Sequence, residues 1–199
     1  MNTRKKQPVL TRQTILEAAG IEFSLHGYSA TGLGAIVSRA ELTKGALFHH
    51  FPDKQSLAVA WVKEVLAASI ETLWGSPLEK ISSLDGFIGL CRTRCLDLKA
   101  DDACSALVAL TAEAASDQPK LADAVENLFS SWRDTLTTML ERGKSEGWVH
   151  RSIKPNVEAA FLVSVFSGFT VTTQCNPDPS ARRTCAAALE GYLETLRNH

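Results

Sequence analysis

The sequence predicts an all-α protein of about nine helices, a small N-terminal three-helix unit followed by a larger helical bundle. Two observations predict the class. Apolar residues recur every three or four positions, and no stretch shows the alternation of a half-buried strand. The apolar stripes are also bracketed by Ser, Thr or Asp before them and Gly or Pro after them, the punctuation of helices. A third observation separates the two parts. Residues 1–54 hold seven Lys/Arg (Arg4, Lys5, Lys6, Arg12, Arg39, Lys44, Lys54) against four acids (Glu17, Glu22, Glu41, Asp53), a balance of +3. The remainder holds fourteen against eighteen, a balance of −4. A basic end on an acidic body points to a polyanion met by the N-terminal part.

The 199 residues fit one sizeable domain or a small one joined to a larger, and 45% hydrophobic with 22% charged residues is an ordinary globular composition. No apolar run approaches the roughly 18 residues of a membrane span. The start M-N-T-R-K-K-Q-P is basic without the apolar core of a signal peptide, so a cytoplasmic protein with no membrane partner is expected. Five cysteines make an odd count with no short metal-type pair, which predicts reduced thiols, no metal site and no cofactor.

In chain order, residues 11–26 form an amphipathic helix. Thr11 is its cap, Ile15, Leu16, Ala19 and Phe23 its buried face, and Gly27 its stop. Thr31 can cap a second helix whose face is Leu33, Ile36, Val37 and Ala40. Glu41, Leu42 and Thr43 lead into a third, with Thr43 as cap, Leu47 and Phe51 on the core side, and Pro52 ending the run. Asp53 caps one long helix reaching Trp74 through Leu57, Trp61, Val62, Val65, Leu66, Ile70 and Leu73. Gly75, Ser76 and Pro77 break it and mark the domain boundary.

Beyond the break, Leu84, Phe87, Ile88, Cys91, Cys95 and Leu98 make one stripe after a cap at Ser82 or Ser83. Asp101 or Asp102 starts an alanine-rich helix through Leu107 and Leu110 to Ala115. The longest stripe follows Pro119: Leu121, Val125, Leu128, Phe129, Trp132, Leu136, Met139 and Leu140, ending at Gly147. Pro155 opens a helix apolar on nearly every face, which predicts burial on all sides and a subunit interface. Asn176, Pro177 and Pro179 turn the chain. Asp178 caps a last helix with Cys185, Leu189, Tyr192 (or Leu193) and Leu196 inward.

Two short helices joined by a tight turn, the second basic and aromatic, form a helix-turn-helix, whose second helix enters the major groove while the first crosses the backbone. The ordered residues T-R-x-x-I-L-x-A-A, F-x-x-x-G-Y-x-x-T, I-V-x-x-A and T-K-G-A-L-F-H-H-F-x-x-K-x-x-L over about 9–60 resemble the N-terminal domain of the TetR family of transcriptional regulators. There are two departures. Glu41 stands where the family often has a turn glycine. Phe48 and His49 stand where it often has a tyrosine pair, which removes phenolic hydroxyls able to contact phosphate.

The resemblance implies a DNA-binding domain at 9–69, with the helix-turn-helix at 32–51, and a ligand-binding and dimerisation domain at 78–199. More loosely, A-C-x-x-x-x-x-L-x-x-E at 103–113, F-x-x-W at 129–132 and E-G-W-V at 146–149 resemble one subgroup of the family. It also implies a homodimer through about 155–174 and 179–197, a double-stranded palindromic operator as partner, and a repressor released from it by a small effector.

The expected DNA contacts are Thr31, Thr43, Lys44, Gly45, Ala46, Phe48, His49 and Lys54. Lys44 would meet phosphate or a base edge, and Gly45 would let the backbone approach closely. Phe48 either touches a thymine methyl or packs in the core. His49 donates to phosphate or a purine N7. Thr31 and Lys54 sit at helix N-termini, where amides favour phosphate. Arg4, Lys5 and Lys6 are either a solvated arm or extra phosphate contacts. Neighbouring His49 and His50 diverge by about 100° around a helix, which disfavours a shared metal or catalytic role.

Phe87, Cys91, Leu107, Trp132, Phe161, Phe166 and Phe169 are either plain core or the lining of an effector pocket for an apolar or aromatic ligand. Cys91 and Cys95, one turn apart, and Cys104 offer an alternative input, a thiol sensor of oxidants or electrophiles. A helical enzyme is the remote alternative, since no ordered nucleophile, acid/base pair or metal set is present.

Overall fold

The computed structural model describes residues 3–96, 101–174 and 179–198; for 3–8, 101–102, 115–117 and 174 it describes the backbone alone. The expected cap at Asp101 or Asp102, the Asp178 cap with its 176–178 turn, Leu98 and the side chains of Arg4, Lys5 and Lys6 lie outside the described residues. The helices are α1 (Thr3–Ala30), α2 (Leu33–Arg39), α3 (Lys44–His50), α4 (Lys54–Trp61), α5 (Ala67–Ile70), α6 (Ser76–Glu79), α7 (Leu84–Leu96), α8 (Asp101–Asp117), α9 (Pro119–Glu146), α10 (Pro155–Gln174) and α11 (Pro179–Glu194). Among the described residues, extended pairing is limited to an isolated bridge between Val149 and Arg197.

The chain divides into two units. One is Met1–Ala68 with Ala109–Leu128, the other Ser69–Val108 with Phe129–His199. The first holds the helix-turn-helix. Ile15, Leu16, Ala19 and Phe23 of α1 are buried as their spacing predicts, together with Ile36, Leu47, Phe51, Leu57 and Trp61. Phe23 is the hub of an aromatic trio, with its ring centroid 5.7 Å from Tyr28 and 5.5 Å from Trp61. Helix α1 begins at Thr3, so Thr11 lies inside it and is not its cap. The added turns project Val9 and Leu10, 71% and 68% exposed, into solvent. Two exposed apolar residues make no buried stripe for a sequence pattern to register.

The long helix also departs from expectation. Asp53 caps it, accepting from the Ser56 amide at 2.6 Å, but Gly75, Ser76 and Pro77 do not break it. Helical backbone runs on to Glu79 through two π turns, Val62–Leu66 and Glu71–Gly75. A proline inside an α-helix lacks the N–H that would serve the carbonyl four residues back. Here the second π turn sends the Ser76 amide to the Glu71 carbonyl, and Pro77 enters in the first turn of α6. The Leu73 carbonyl, four residues before Pro77, accepts instead from Arg94 Nε of α7 at 2.9 Å. At the far end, the Arg142 guanidinium caps the carbonyls of Leu78, Glu79 and Ile81 at 2.9, 2.9 and 2.6 Å.

The second unit centres on Trp74, Trp132 and Phe166. Trp74 lies 5.3 Å from Trp132 and 4.4 Å from Phe166 between centroids. Helix α7 lays Leu84, Phe87, Ile88, Cys91 and Cys95 against α11, whose buried residues are Arg182, Ala186, Leu189 and Leu193. Tyr192 is half-buried and donates its hydroxyl to Glu158 of α10. After Gly147 (φ 84°) the chain doubles back, and the amides of Trp148 and Val149 both reach the Gly143 carbonyl at 3.0 Å. Helix α10 is not buried on all sides within one protomer, since Val157, Phe161 and Val171 are 57%, 45% and 45% exposed.

The helix packing in the first unit rests on a missing side chain. A Cβ at Gly20 of α1 would lie 2.4 Å from Trp61 Nε1 and 3.0 Å from its Cε2. Trp61 is 3% exposed and held by Phe23, so it cannot step aside. Gly20→Ala is expected to destabilise this unit by about 1–3 kcal/mol, the usual cost of overpacking. Thermal unfolding measures it, and an unchanged midpoint would refute the close approach.

Candidate nucleic-acid interface

Helix α3 is two turns long and owes its existence to its neighbours. Thr43 caps it, accepting from the Ala46 amide at 3.2 Å, and Leu47 (1% exposed) and Phe51 (3%) pin it to the core. The opposite side carries Lys44, Gly45, Phe48 and His49, all exposed. Phe48 is 51% exposed, which removes the core alternative. Ala46 is half-buried. A Cβ at Gly45 would meet Thr43 Oγ1 at 3.9 Å, an ordinary contact, so packing within the protein does not require glycine there. The His49 and His50 rings lie edge to face, centroids 5.2 Å apart. Burial first, then His49 and Arg12, push the His50 pKa down. Among the described residues no three His, Cys, Asp or Glu side chains gather as a metal site.

The turn between α2 and α3 resolves the Glu41 departure. Glu41 takes the left-handed conformation (φ 54°) that the family's glycine would adopt freely. Its amide donates to the Ser38 carbonyl at 3.2 Å and the Leu42 amide to the Val37 carbonyl at 3.1 Å. This pair of bonds is a Schellman closure with glutamate in the glycine position.

Two expected contacts have other geometry. Thr31 does not cap α2, whose N-cap is Gly32 without a side-chain bond. Its side chain is buried, and its hydroxyl donates to the carbonyls of Gly27 and Glu22 at 2.7 and 3.1 Å. Lys54 is half-buried and points its ammonium at three carbonyls, Tyr28 at 2.9, Ser29 at 3.1 and Thr31 at 3.0 Å. In this structure the ammonium is engaged by backbone carbonyls. Other basic residues are also engaged. Arg12 makes a bidentate pair with Glu64, one bond at 2.6 Å, and Arg39 Nε meets Glu22 at 2.6 Å. Lys44 remains exposed and unpaired among the described residues.

Sequence reasoning missed Glu113 and Gln118. The Glu113 carboxylate accepts from the amides of Tyr28 (2.9 Å) and Ser29 (2.5 Å). Burial pushes its pKa up, but the bonds from Ser29 and Tyr28, with help from Lys54, outweigh it and bring the pKa down. Gln118 Oε1 accepts from the Tyr28 hydroxyl and from Gln55 Nε2. The quoted L-x-x-E motif was the available signal for Glu113.

In the second unit, Phe87, Cys91, Leu107, Trp132, Phe166 and Phe169 are buried, whereas Phe161 faces outward and stacks on Tyr192 at 4.9 Å. Trp74 belongs with the buried set. Cys91 and Cys95 are 0% and 1% exposed. Burial first, then Cys95, push the Cys91 thiol well above its ordinary range, the reverse of what a reactive cysteine needs. The thiol-sensor alternative gains no support.

Relieving the Glu41 backbone is the test of the turn. Glu41→Gly is expected to stabilise the protein by about 0.5–1 kcal/mol, the left-handed cost removed less the entropy glycine adds to the unfolded chain. A denaturant midpoint that falls would refute it.

Comparison with known proteins agrees with this arrangement. Residues 15–61 match the family described as bacterial regulatory proteins, tetR family, and residues 93–198 match the BetI-type transcriptional repressor C-terminal family. The chain is 27% identical over 173 residues to the A-factor receptor protein of Streptomyces griseus, covering 87% of this chain and 58% of that one. It is 26% identical over 190 residues to the transcriptional repressor AcnR of Corynebacterium efficiens, covering 96% and 90%. Among solved structures, a TetR regulator from Chloroflexus aurantiacus superimposes with a TM-score of 0.84 at 18% identity, covering 98% of this chain and 100% of that one. The reduced form of E. coli NemR superimposes with a TM-score of 0.81 at 19% identity, covering 91% and 96%. With a capped, core-pinned recognition helix at its N-terminus and matches running through both of its units, the chain belongs to the TetR family of DNA-binding transcriptional regulators.

Proposed function

We propose that this regulator is a homodimeric repressor that grips a palindromic operator through α3 and leaves it when a small apolar effector binds the C-terminal bundle. The observation that carries the reading is the two-sided character of α3. Leu47 and Phe51 are buried while Lys44, Gly45, Phe48 and His49 stand exposed together. Lys44 neutralises a phosphate, Gly45 admits the backbone, Phe48 meets a thymine methyl, and His49 donates to phosphate or a purine N7. Thr43 and Ala46, at the start of the helix, sit beside the same phosphates. The functional division runs at about 9–69 for operator binding and 78–199 for effector binding and dimerisation. Repression accords with the relatives named repressors.

The dimer face is argued from α10 and α11. Val157, Phe161 and Val171 are large, apolar and exposed, and Gly168 and Gly191 are exposed with nothing within 4 Å of an added Cβ. Small residues beside apolar ones let helices of a second copy approach closely. Two heads would then reach successive major grooves about 34–36 Å apart.

For the effector, Trp132 is the informative residue. It is 2% exposed, and its indole N–H has no acceptor among the described residues. With Phe87, Leu107, Phe166, Phe169 and Trp74 around the second unit's core, this suits an apolar molecule bearing one hydrogen-bond acceptor. Its effect on DNA binding can be no larger than its differential affinity for the bound and released arrangements.

Two experiments test the reading. Lys44→Ala should weaken binding to a duplex selected from a random-sequence pool and lower the salt slope by about 1; an unchanged slope removes Lys44 from the phosphate. Gly168→Glu should leave helical circular dichroism unchanged and convert the dimer to monomer in sedimentation, with duplex affinity falling at least about tenfold as the second head is lost. A dimer that persists places the interface elsewhere.

A further inference from the structure

We infer that Glu113 and Lys54 are positioning residues for operator binding, which together clamp the peptide units of the corner between α1 and α2. The inference rests on α3 as the DNA-reading helix and adds residues that lie outside it. At the corner, α1 kinks at Gly27 (φ 79°, ψ 162°), its last turn runs to Ala30, and α2 starts after Gly32. Between them the backbone exposes amides on one side and carbonyls on the other. Glu113, arriving on α8, takes the amides of Tyr28 and Ser29, one on each carboxylate oxygen. Lys54, in the first turn of α4, takes the carbonyls of Tyr28, Ser29 and Thr31, one for each ammonium proton. Its Nζ also lies 4.5 Å from the Tyr28 ring centroid. The peptide units of residues 28 and 29 therefore sit between an anion on their N–H side and a cation on their C=O side.

The corner is shaped for this arrangement. A Cβ at residue 27 would lie 2.8 Å from Glu113 Oε1, so glycine there serves both the positive φ and the carboxylate's approach. A second tie comes from Gln118, which holds the Tyr28 hydroxyl at 3.2 Å and Gln55, next to Lys54, at 2.6 Å. Thr31 closes the corner back onto the Gly27 and Glu22 carbonyls. Glu113 and Gln118 thus grip the point from which α2, and through it α3, departs. A shift of α8 along its axis would carry the carboxylate with it and loosen the seat of the recognition helix.

The sign of one substitution separates this role from simple electrostatics. Glu113 is an anion on a unit that binds a polyanion, so neutralising it should strengthen DNA binding if charge alone mattered. The clamp requires the opposite. Glu113→Gln keeps the shape, but its amide end faces a backbone N–H and loses one bond. We expect a loss of about 3- to 10-fold in affinity for the selected duplex, the value of a hydrogen bond, with the salt slope unchanged. Lys54→Met should likewise lose affinity at constant slope. Lys54→Arg should not restore it, because a planar guanidinium cannot place three protons on three converging carbonyls, whereas a phosphate contact would accept arginine.

Circular dichroism of each variant checks that the fold persists. Should Glu113→Gln fail to fold, amide hydrogen exchange on the unaltered protein decides. Protection at Tyr28 and Ser29 equal to that of α4, increasing when duplex binds, is the expected result, and rapid exchange there overturns the clamp. Unchanged or improved duplex affinity in Glu113→Gln also overturns it, as does a reduced slope with arginine rescue at residue 54. Wild-type protein that selects no duplex would overturn the DNA-reading assignment itself.

Discussion

A recognition helix of two turns has no stability of its own, and its direction is inherited from the segments that hold its ends. In this protein that inheritance passes through the corner between α1 and α2. Gly27 turns the chain out of α1, Thr31 ties the turn to α1, and the amides and carbonyls between them meet Glu113 and Lys54. Every later element of the head is placed from there: α2 by its start at Gly32, the α2–α3 turn by its Schellman closure, and α3 by Thr43, Leu47 and Phe51. Polar groups at such a corner must be satisfied or pay for desolvation, and here both sides are satisfied by charges.

The distribution of charge follows from the same arrangement. The excess of basic residues at the N-terminal end reads as a DNA footprint, yet much of it is internal. Arg12 is spent on Glu64, Arg39 on the buried Glu22, and Lys54 on backbone carbonyls. The polar side chains that face outward on the recognition helix are Lys44 and His49. Beside them Phe48 is exposed and the position at Gly45 is open.

The second unit shows how a helix can keep a proline. Pro77 withdraws an N–H, a π turn shifts the ladder by one residue, and Arg94 supplies the missing donor to Leu73. Arg142 closes the far end in the same manner. Substituting either arginine would remove the donor from those carbonyls, so both serve the backbone. The aromatic cluster of Trp74, Trp132 and Phe166 lies beside this reinforced segment.

The helices, their buried stripes and the ends set by Asp53, Thr43 and Gly27 were legible in the sequence, because period and capping are local properties of neighbouring residues. The recognition helix was legible for the same reason, down to the inward Leu47 and Phe51. Where an end depended on distant donors, local signals misled. Gly75 and Pro77 look like a stop until Arg94 arrives from another helix, and Thr31 looks like a cap until its hydroxyl finds carbonyls of α1. For Lys54 the sequence shows the charge and hides the three carbonyls converging on it. Residue types and their spacing thus determined the family, the fold and which side of α3 packs inward. Which charged groups remain free for DNA, and which hold the backbone, was decided only when chain folding brought Glu113 to a corner 84 residues away from it in sequence.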